Sequence, residues 1–98
     1  MIFTVAWRPT AQSKLADIWV QAPDKAAVSR AADKIDADLR VDAHLNGLPY
    51  IGPTRIHLEA PLVVVFRVSE PNRIVRILKV WYLPPYKSNG KAQAGFLI

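Results

Sequence analysis

Apolar positions alternate from Ile2 to Trp7, with Phe3, Val5 and Trp7 on one parity, and this predicts a strand with one buried face. Arg8-Pro9-Thr10 ends the strand, because proline cannot continue a central strand and threonine is a good N-cap. The period then lengthens. Ala11, Leu15, Ile18, Trp19 and Ala22 recur at helical spacing and predict a first helix over 11–21. Pro23 breaks it, and Asp24 is placed to cap the next helix. That second helix, over about 25–45, has the clearest pattern in the chain: Val28, Ala31, Ala32, Ile35, Leu39 and Ala43 make one apolar stripe, with Asp, Lys and Arg on the remaining surface. The many alanines point to close packing, on the first helix or on a sheet, and the two helices read as a hairpin.

Asn46-Gly47 closes the helix, since both residues tolerate a left-handed C-cap, and Leu48 to Thr54 reads as a loop with Pro49, Gly52 and Pro53. Period 2 returns at Arg55–Glu59. Leu62–Val68 is rich in β-branched residues and reads as the central strand. Ser69-Glu70-Pro71-Asn72 is a hairpin turn, and Arg73–Tyr82 is the last strand. The order is β-α-α-β-β-β, an α+β fold in which a helical hairpin packs on one face of a mostly antiparallel sheet. The other sheet face is left open. If Ile56, Leu58, Leu62, Val64, Phe66 and Val68 point at the helices, then Arg55, His57, Glu59, Val63, Val65 and Arg67 lie on the open face.

Composition narrows the classes. The 98 residues are 51% hydrophobic and 21% charged, which fits one folded domain and excludes a disordered chain. Residues 1–83 read as that domain and residues 84–98 as a C-terminal tail in which Tyr86, Lys87, Lys91 and Phe96 are candidate contact residues. The absence of cysteine excludes disulfides and thiolate metal sites and suits a cytoplasmic protein. The N-terminus lacks the basic and apolar regions of a signal peptide, and the longest apolar run, Pro61 to Phe66, is too short to span a bilayer. Two histidines 13 apart with scattered acids give no metal motif, and no Gly-rich phosphate loop occurs, so no cofactor is expected.

The net charge of +5 is unevenly spread: residues 17–42 hold all six aspartates, while residues 43–98 hold seven bases against Glu59 and Glu70. Such asymmetry suits an anionic partner, nucleic acid or an acidic protein, although solubility alone accounts for charge equally well.

The opening FTVAWRPTAQSKLADIW and the later RIHLEAPLVVVFRVSEPNRIVRILKVW carry a resemblance. The first is similar to the strand and helix that open the RelE/ParE toxin superfamily, an aromatic-ended strand leading to a Pro-x-Ala turn and a Leu-x-x-Ile-Trp stripe. The second resembles the terminal sheet of that superfamily, and the likeness covers about residues 2–83. It implies the toxin of a bacterial type II toxin–antitoxin module, neutralised by an acidic antitoxin that folds onto it. It implies one of two targets: ribosome-bound mRNA, cut by RelE-like members without a metal, or DNA gyrase, inhibited by ParE-like members.

The resemblance also implies site residues. RNA cleavage by attack of the 2′-hydroxyl needs a base, cations for the charged phosphorane and an acid for the leaving oxygen. Arg55 and His57 match the basic positions on the second long strand, with His57 a candidate for proton transfer. Tyr82, beside Trp81, stands where some relatives have a His-Tyr pair and is a second catalytic candidate. Arg55, Arg67, Arg76, Lys79 and Trp81 are candidates for phosphate, RNA or target binding. Two positions depart from the RelE pattern: Val63 stands where such members carry arginine, and Leu83-Pro84 where many carry another. Arg67 lies four residues beyond Val63, roughly 13 Å along a strand, too far to substitute for the first. ParE-like members lack the nuclease set as a rule, and a degenerate, non-toxic member that only binds its antitoxin or a regulatory partner is the third reading.

Blander readings accompany each residue. His57 between Ile56 and Leu58 is more often an ordinary exposed sheet residue than a catalytic one, and Glu59 is more often a solvated carboxylate or an ion-pair partner of Arg55 than a general base. Trp81 and Tyr82 finish a core edge, Arg73, Arg76 and Lys79 keep an edge strand soluble, and His44 lies on the surface. Trp7 and Trp19 are expected in the core. Sheet edges and the helical hairpin leave homo-oligomerisation open.

Overall fold

The computed structural model describes residues 2–84. The tail expected over 84–98, with Tyr86, Lys87, Lys91 and Phe96, falls outside the described residues apart from Pro84. Strand β1 (Thr4–Trp7) leads into helices α1 (Pro9–Gln21) and α2 (Lys25–Asp42), and a short 3-10 turn (Ala43–Leu45) extends α2. Four strands follow: β2 (Leu48–Pro49), β3 (Thr54–Glu59), β4 (Leu62–Ser69) and β5 (Ile74–Tyr82). The sheet order is β1-β5-β4-β3-β2. β1 runs parallel to β5 and every other pairing is antiparallel. The expected α+β architecture is therefore the observed one, with the two-residue β2 added inside the segment expected to be a loop.

Local chemistry accounts for the helix boundaries. α1 starts at Pro9, two residues earlier than expected, with Arg8 rather than Thr10 at the N-cap. Proline fits the first helical position because its missing N–H has no partner there to lose. Asp24 caps α2 as expected, its carboxylate accepting from Ala27 N at 3.0 Å. At the far end the Asn46 side-chain amide donates to Asp38 O at 3.0 Å and Asp42 O at 2.8 Å, satisfying carbonyls that the helix leaves open. Gly47 follows with φ +76°, and a Cβ there would lie 2.5 Å from Ile56 O.

The core lies between the helices and one sheet face. Ala11, Ile18 and Ala22 of the α1 segment and Val28, Ala31, Ile35 and Leu39 of α2 meet Phe3, Leu62, Val64, Phe66, Val75, Ile77 and Val80. Trp7 packs against this cluster, but Trp19 does not belong to it and is 43% exposed. The buried stripe of α1 is Ala11, Ile18 and Ala22, and Trp19 sits one residue, about 100°, around from Ile18. It flanks the gap between the helices, where its Nε1 donates to Ser29 Oγ at 3.1 Å and Lys25 Nζ sits 5.4 Å from the ring centroid.

β5 changes parity midway. Val65 pairs with Lys79 and Phe66 with Ile77, so Leu78 is an extra residue in β5. This bulge lets Val75 and Ile77 face the core on one side of it and Val80 on the other.

Candidate functional site

The register identifies the open sheet face, since directly paired residues share a side. Thr54, Ile56 and Leu58 of β3 pair with Arg67, Val65 and Val63 of β4. Those pair in turn with Arg76, Lys79 and Trp81 of β5. The centre is apolar: Val65 is buried without belonging to the core cluster, Leu58 is 57% exposed and Trp81 38%. Arg67, Arg76 and Lys79 surround that centre, all exposed, and none of them forms an ion pair among the described residues. Arg67 and Arg76 are direct cross-strand partners. Like charges opposite one another repel, so an anion between them is favoured. None of the strand residues on this face is acidic. The bulge at Leu78 contributes directly, because without it Lys79 and Trp81 would point into the core.

Of the residues singled out from sequence, Arg67, Arg76, Lys79 and Trp81 are thus brought together. Arg55, His57 and Tyr82 are not, and the expected parity of β3 is reversed. Glu59 pairs with Leu62, His57 with Val64 and Arg55 with Phe66, so all three share the core face of β4 and lie on the helical side. The cause is the two-residue connection Ala60-Pro61, which contains a cis peptide bond. A hairpin this tight makes its flanking residues, 59 and 62, cross-strand partners and so fixes β3 to the parity of β4. Ile56 and Leu58 consequently lie on the open face, although alternation alone favours burying them.

On the helical side Arg55 holds the loop after α2: its Nε donates to Asn46 O at 3.2 Å and its Nη2 to Gly47 O at 2.9 Å. Of the readings open for Glu59, the ion pair with Arg55 is not formed among the described residues. The His57 side chain is 15% exposed, with Nε2 3.8 Å from Asp38 Oδ2, rather than displayed on a surface. Tyr82 pairs with Leu62 and packs against the core edge. It borders an apolar hollow with Leu58, Ala60, Pro61 and Leu83. His44 lies at the surface, as expected, and contacts Glu70 of the β4–β5 turn and, edge to face, the Phe3 ring. Among the described residues no helix is long and apolar enough to cross a membrane.

No family model matches the sequence, and no curated protein is similar to it at a significant level. Solved structures do match. The toxin–antitoxin complex RelBE2 from Mycobacterium tuberculosis superposes with a TM-score of 0.70 at 18% identity, covering 84% of this chain and 99% of that one. A chromosomal ParDE toxin–antitoxin system from P. aeruginosa gives a TM-score of 0.59 at 22% identity over 84% of this chain and 97% of that one. The isolated RelE toxin of E. coli gives 0.60 at 10% identity over 96% and 98%. Two helices on a five-stranded mixed sheet, in this order and register, give the chain a RelE/ParE-like toxin fold.

Proposed function

We propose that the chain is the toxin of a type II toxin–antitoxin module, neutralised by an acidic antitoxin, and that it acts by binding its target, as ParE-like members bind DNA gyrase. One observation carries the preference for binding over cleavage. The open face offers Arg67, Arg76 and Lys79 around an apolar centre, and none of its strand residues is a histidine or a carboxylate. A cationic and apolar surface suits an acidic, partly apolar protein segment. Proton transfer to and from RNA needs a base and an acid within reach of the same phosphate, and His57 lies on the opposite side of the sheet. The fold shared with toxin–antitoxin structures supports the toxin assignment.

A second reading, ribosome-dependent mRNA cleavage, is favoured by the same three cations together with Trp81, which present phosphate contacts beside a stacking surface. In that reading Tyr82 and His57 are the catalytic candidates and Arg55 a phosphate ligand.

Induced expression in a bacterium separates the two. The expected outcome is growth arrest without new mRNA ends, inhibition of gyrase supercoiling by the purified protein, and loss of both on Arg67→Ala/Arg76→Ala/Lys79→Ala. Cleavage of translated mRNA that disappears with His57→Gln or Tyr82→Phe would transfer the assignment to the nuclease. Absence of arrest would remove the toxin assignment.

A further inference from the structure

We propose that Asp38, His57 and Glu59 form a divalent-cation site that ties α2 to β3. The three residues each offer one ligand atom, and these atoms all lie within 4.8 Å of one another. Two elements bring them together. Asp38 stands in the penultimate turn of α2, and His57 and Glu59, two apart on β3, share the face turned to that helix. A second observation points to a ligand. His57 Nε2 is sealed from solvent and has no hydrogen-bond partner. The nearest acceptor, Asp38 Oδ2, is 3.8 Å away, beyond hydrogen-bonding distance. A buried ring nitrogen without a partner is unusual in a folded protein, and a cation between these groups satisfies it while neutralising both carboxylates.

The surrounding charges leave room for the ion. Lys34 meets Asp38 at 3.1 Å, but its side chain is 58% exposed, and such surface pairs hold weakly. Arg55, on the same face of β3, has its guanidinium committed to Asn46 O and Gly47 O. Among the described residues no cation lies within ion-pair distance of Glu59. One imidazole nitrogen and two carboxylate oxygens suit Zn²⁺ and neighbouring transition ions better than Mg²⁺ or Ca²⁺, which prefer all-oxygen sites. Bonds of about 2.0–2.2 Å require the ligand atoms to close to roughly 3–4 Å, a movement the Asp38 and Glu59 side chains supply by rotation. Water completes the shell. The site lies on the other side of the sheet from Arg67, Arg76 and Lys79, so the ion cross-links helix to strand and takes no part on the open face.

Calorimetric titration of Zn²⁺ into the whole chain, freed of metal by a chelator and held in excess Mg²⁺, tests this without reference to toxicity. One Zn²⁺ per chain is expected, with a rise in unfolding temperature. His57→Gln and Glu59→Gln should each weaken binding by more than about tenfold, since even groups that only support metal ligands contribute about that much. Lys34→Ala, a surface change that leaves the core intact, should tighten binding by removing the competitor for Asp38. His44→Gln should leave it unchanged, and circular dichroism of each variant checks that it is folded. Failure of Zn²⁺ to bind, retention of binding in both His57→Gln and Glu59→Gln, or its loss in His44→Gln overturns the proposal.

Discussion

Two glycines show how far a single residue depends on its surroundings. Gly47 and Gly52 both have positive φ, at +76° and +56°. A side chain at Gly52 would meet nothing within 4 Å, whereas a Cβ at Gly47 would stand 2.5 Å from the Ile56 carbonyl oxygen and 3.2 Å from the Phe66 ring. Gly52→Ala should therefore cost only the left-handed penalty, about 1 kcal/mol. Gly47→Ala should cost about 2–3 kcal/mol, because a backbone clash adds to the strain. Urea denaturation of both variants measures the difference, and equal losses would mean that the β2–β3 contact yields easily. Gly47 belongs to a small clamp in which Asn46 closes α2 and Arg55 grips both carbonyls. A loss of the proposed toxicity in Arg55→Ala would thus report on loop integrity as much as on any target contact. The sequence announced the Asn-Gly stop; the clamp was hidden because Arg55 is bound by main-chain carbonyls, which leave no signature in a neighbouring residue's identity.

At the scale of elements, the strands and helices were legible and their orientations only partly so. Helix α2 was readable almost to the residue, because a long stripe from Val28 to Leu39 repeats the same requirement at every turn. β3 was not, because six residues with two apolar positions weigh less than the turn that joins them to β4. The signal was nevertheless present: a two-residue connection at Ala60-Pro61 ties Glu59 to the parity of Leu62, and following that constraint through the strand places His57 beside α2. The Asp38–His57–Glu59 grouping escaped sequence reasoning for the same reason, compounded by the distance between Asp38 and the other two along the chain. The bulge at Leu78 was also invisible, since Val75, Ile77, Leu78 and Val80 fit either parity in part. Its importance can be tested by deletion. Removing Leu78 restores regular alternation and leaves Lys79 and Trp81 on the open face with Val80 still turned to the core. The deletion variant, like Leu78→Ala, should keep a cooperative unfolding transition, and loss of that transition on deletion alone would mean that the extra residue is needed for the twist of β5 as well as for its parity.

At the scale of the whole molecule, charge is sorted by layer. The aspartates belong to the helical layer and its caps, and the open face of the sheet carries Arg67, Arg76 and Lys79. The overall charge asymmetry was plain in the sequence, and the sheet makes it directional. On the proposed function, association with an acidic antitoxin should accordingly slow as salt rises toward a Debye length of about 8 Å. Arg67→Ala/Arg76→Ala/Lys79→Ala should lower the association rate and flatten its salt dependence while leaving the unfolding temperature little changed. Stopped-flow measurements at several salt concentrations would show this, and an unaltered salt slope would mean that the partner docks on another surface.

The parallel pairing of β1 with β5 carries a consequence for synthesis. Thr4 is partnered by Ile74, seventy positions later, and the Arg8 N–H donates to the Ile77 carbonyl. The first strand thus waits on the ribosome for the last, and contacts this far apart in sequence form late. A nascent chain interrupted anywhere before β5 has neither a seat for its first strand nor the strand that supplies Arg76, Lys79 and Trp81 to the open face. The fold therefore withholds this face until translation of the domain is nearly complete, so truncated products lack it, and on the proposed function a neutralising partner has the whole interval of elongation in which to be present first.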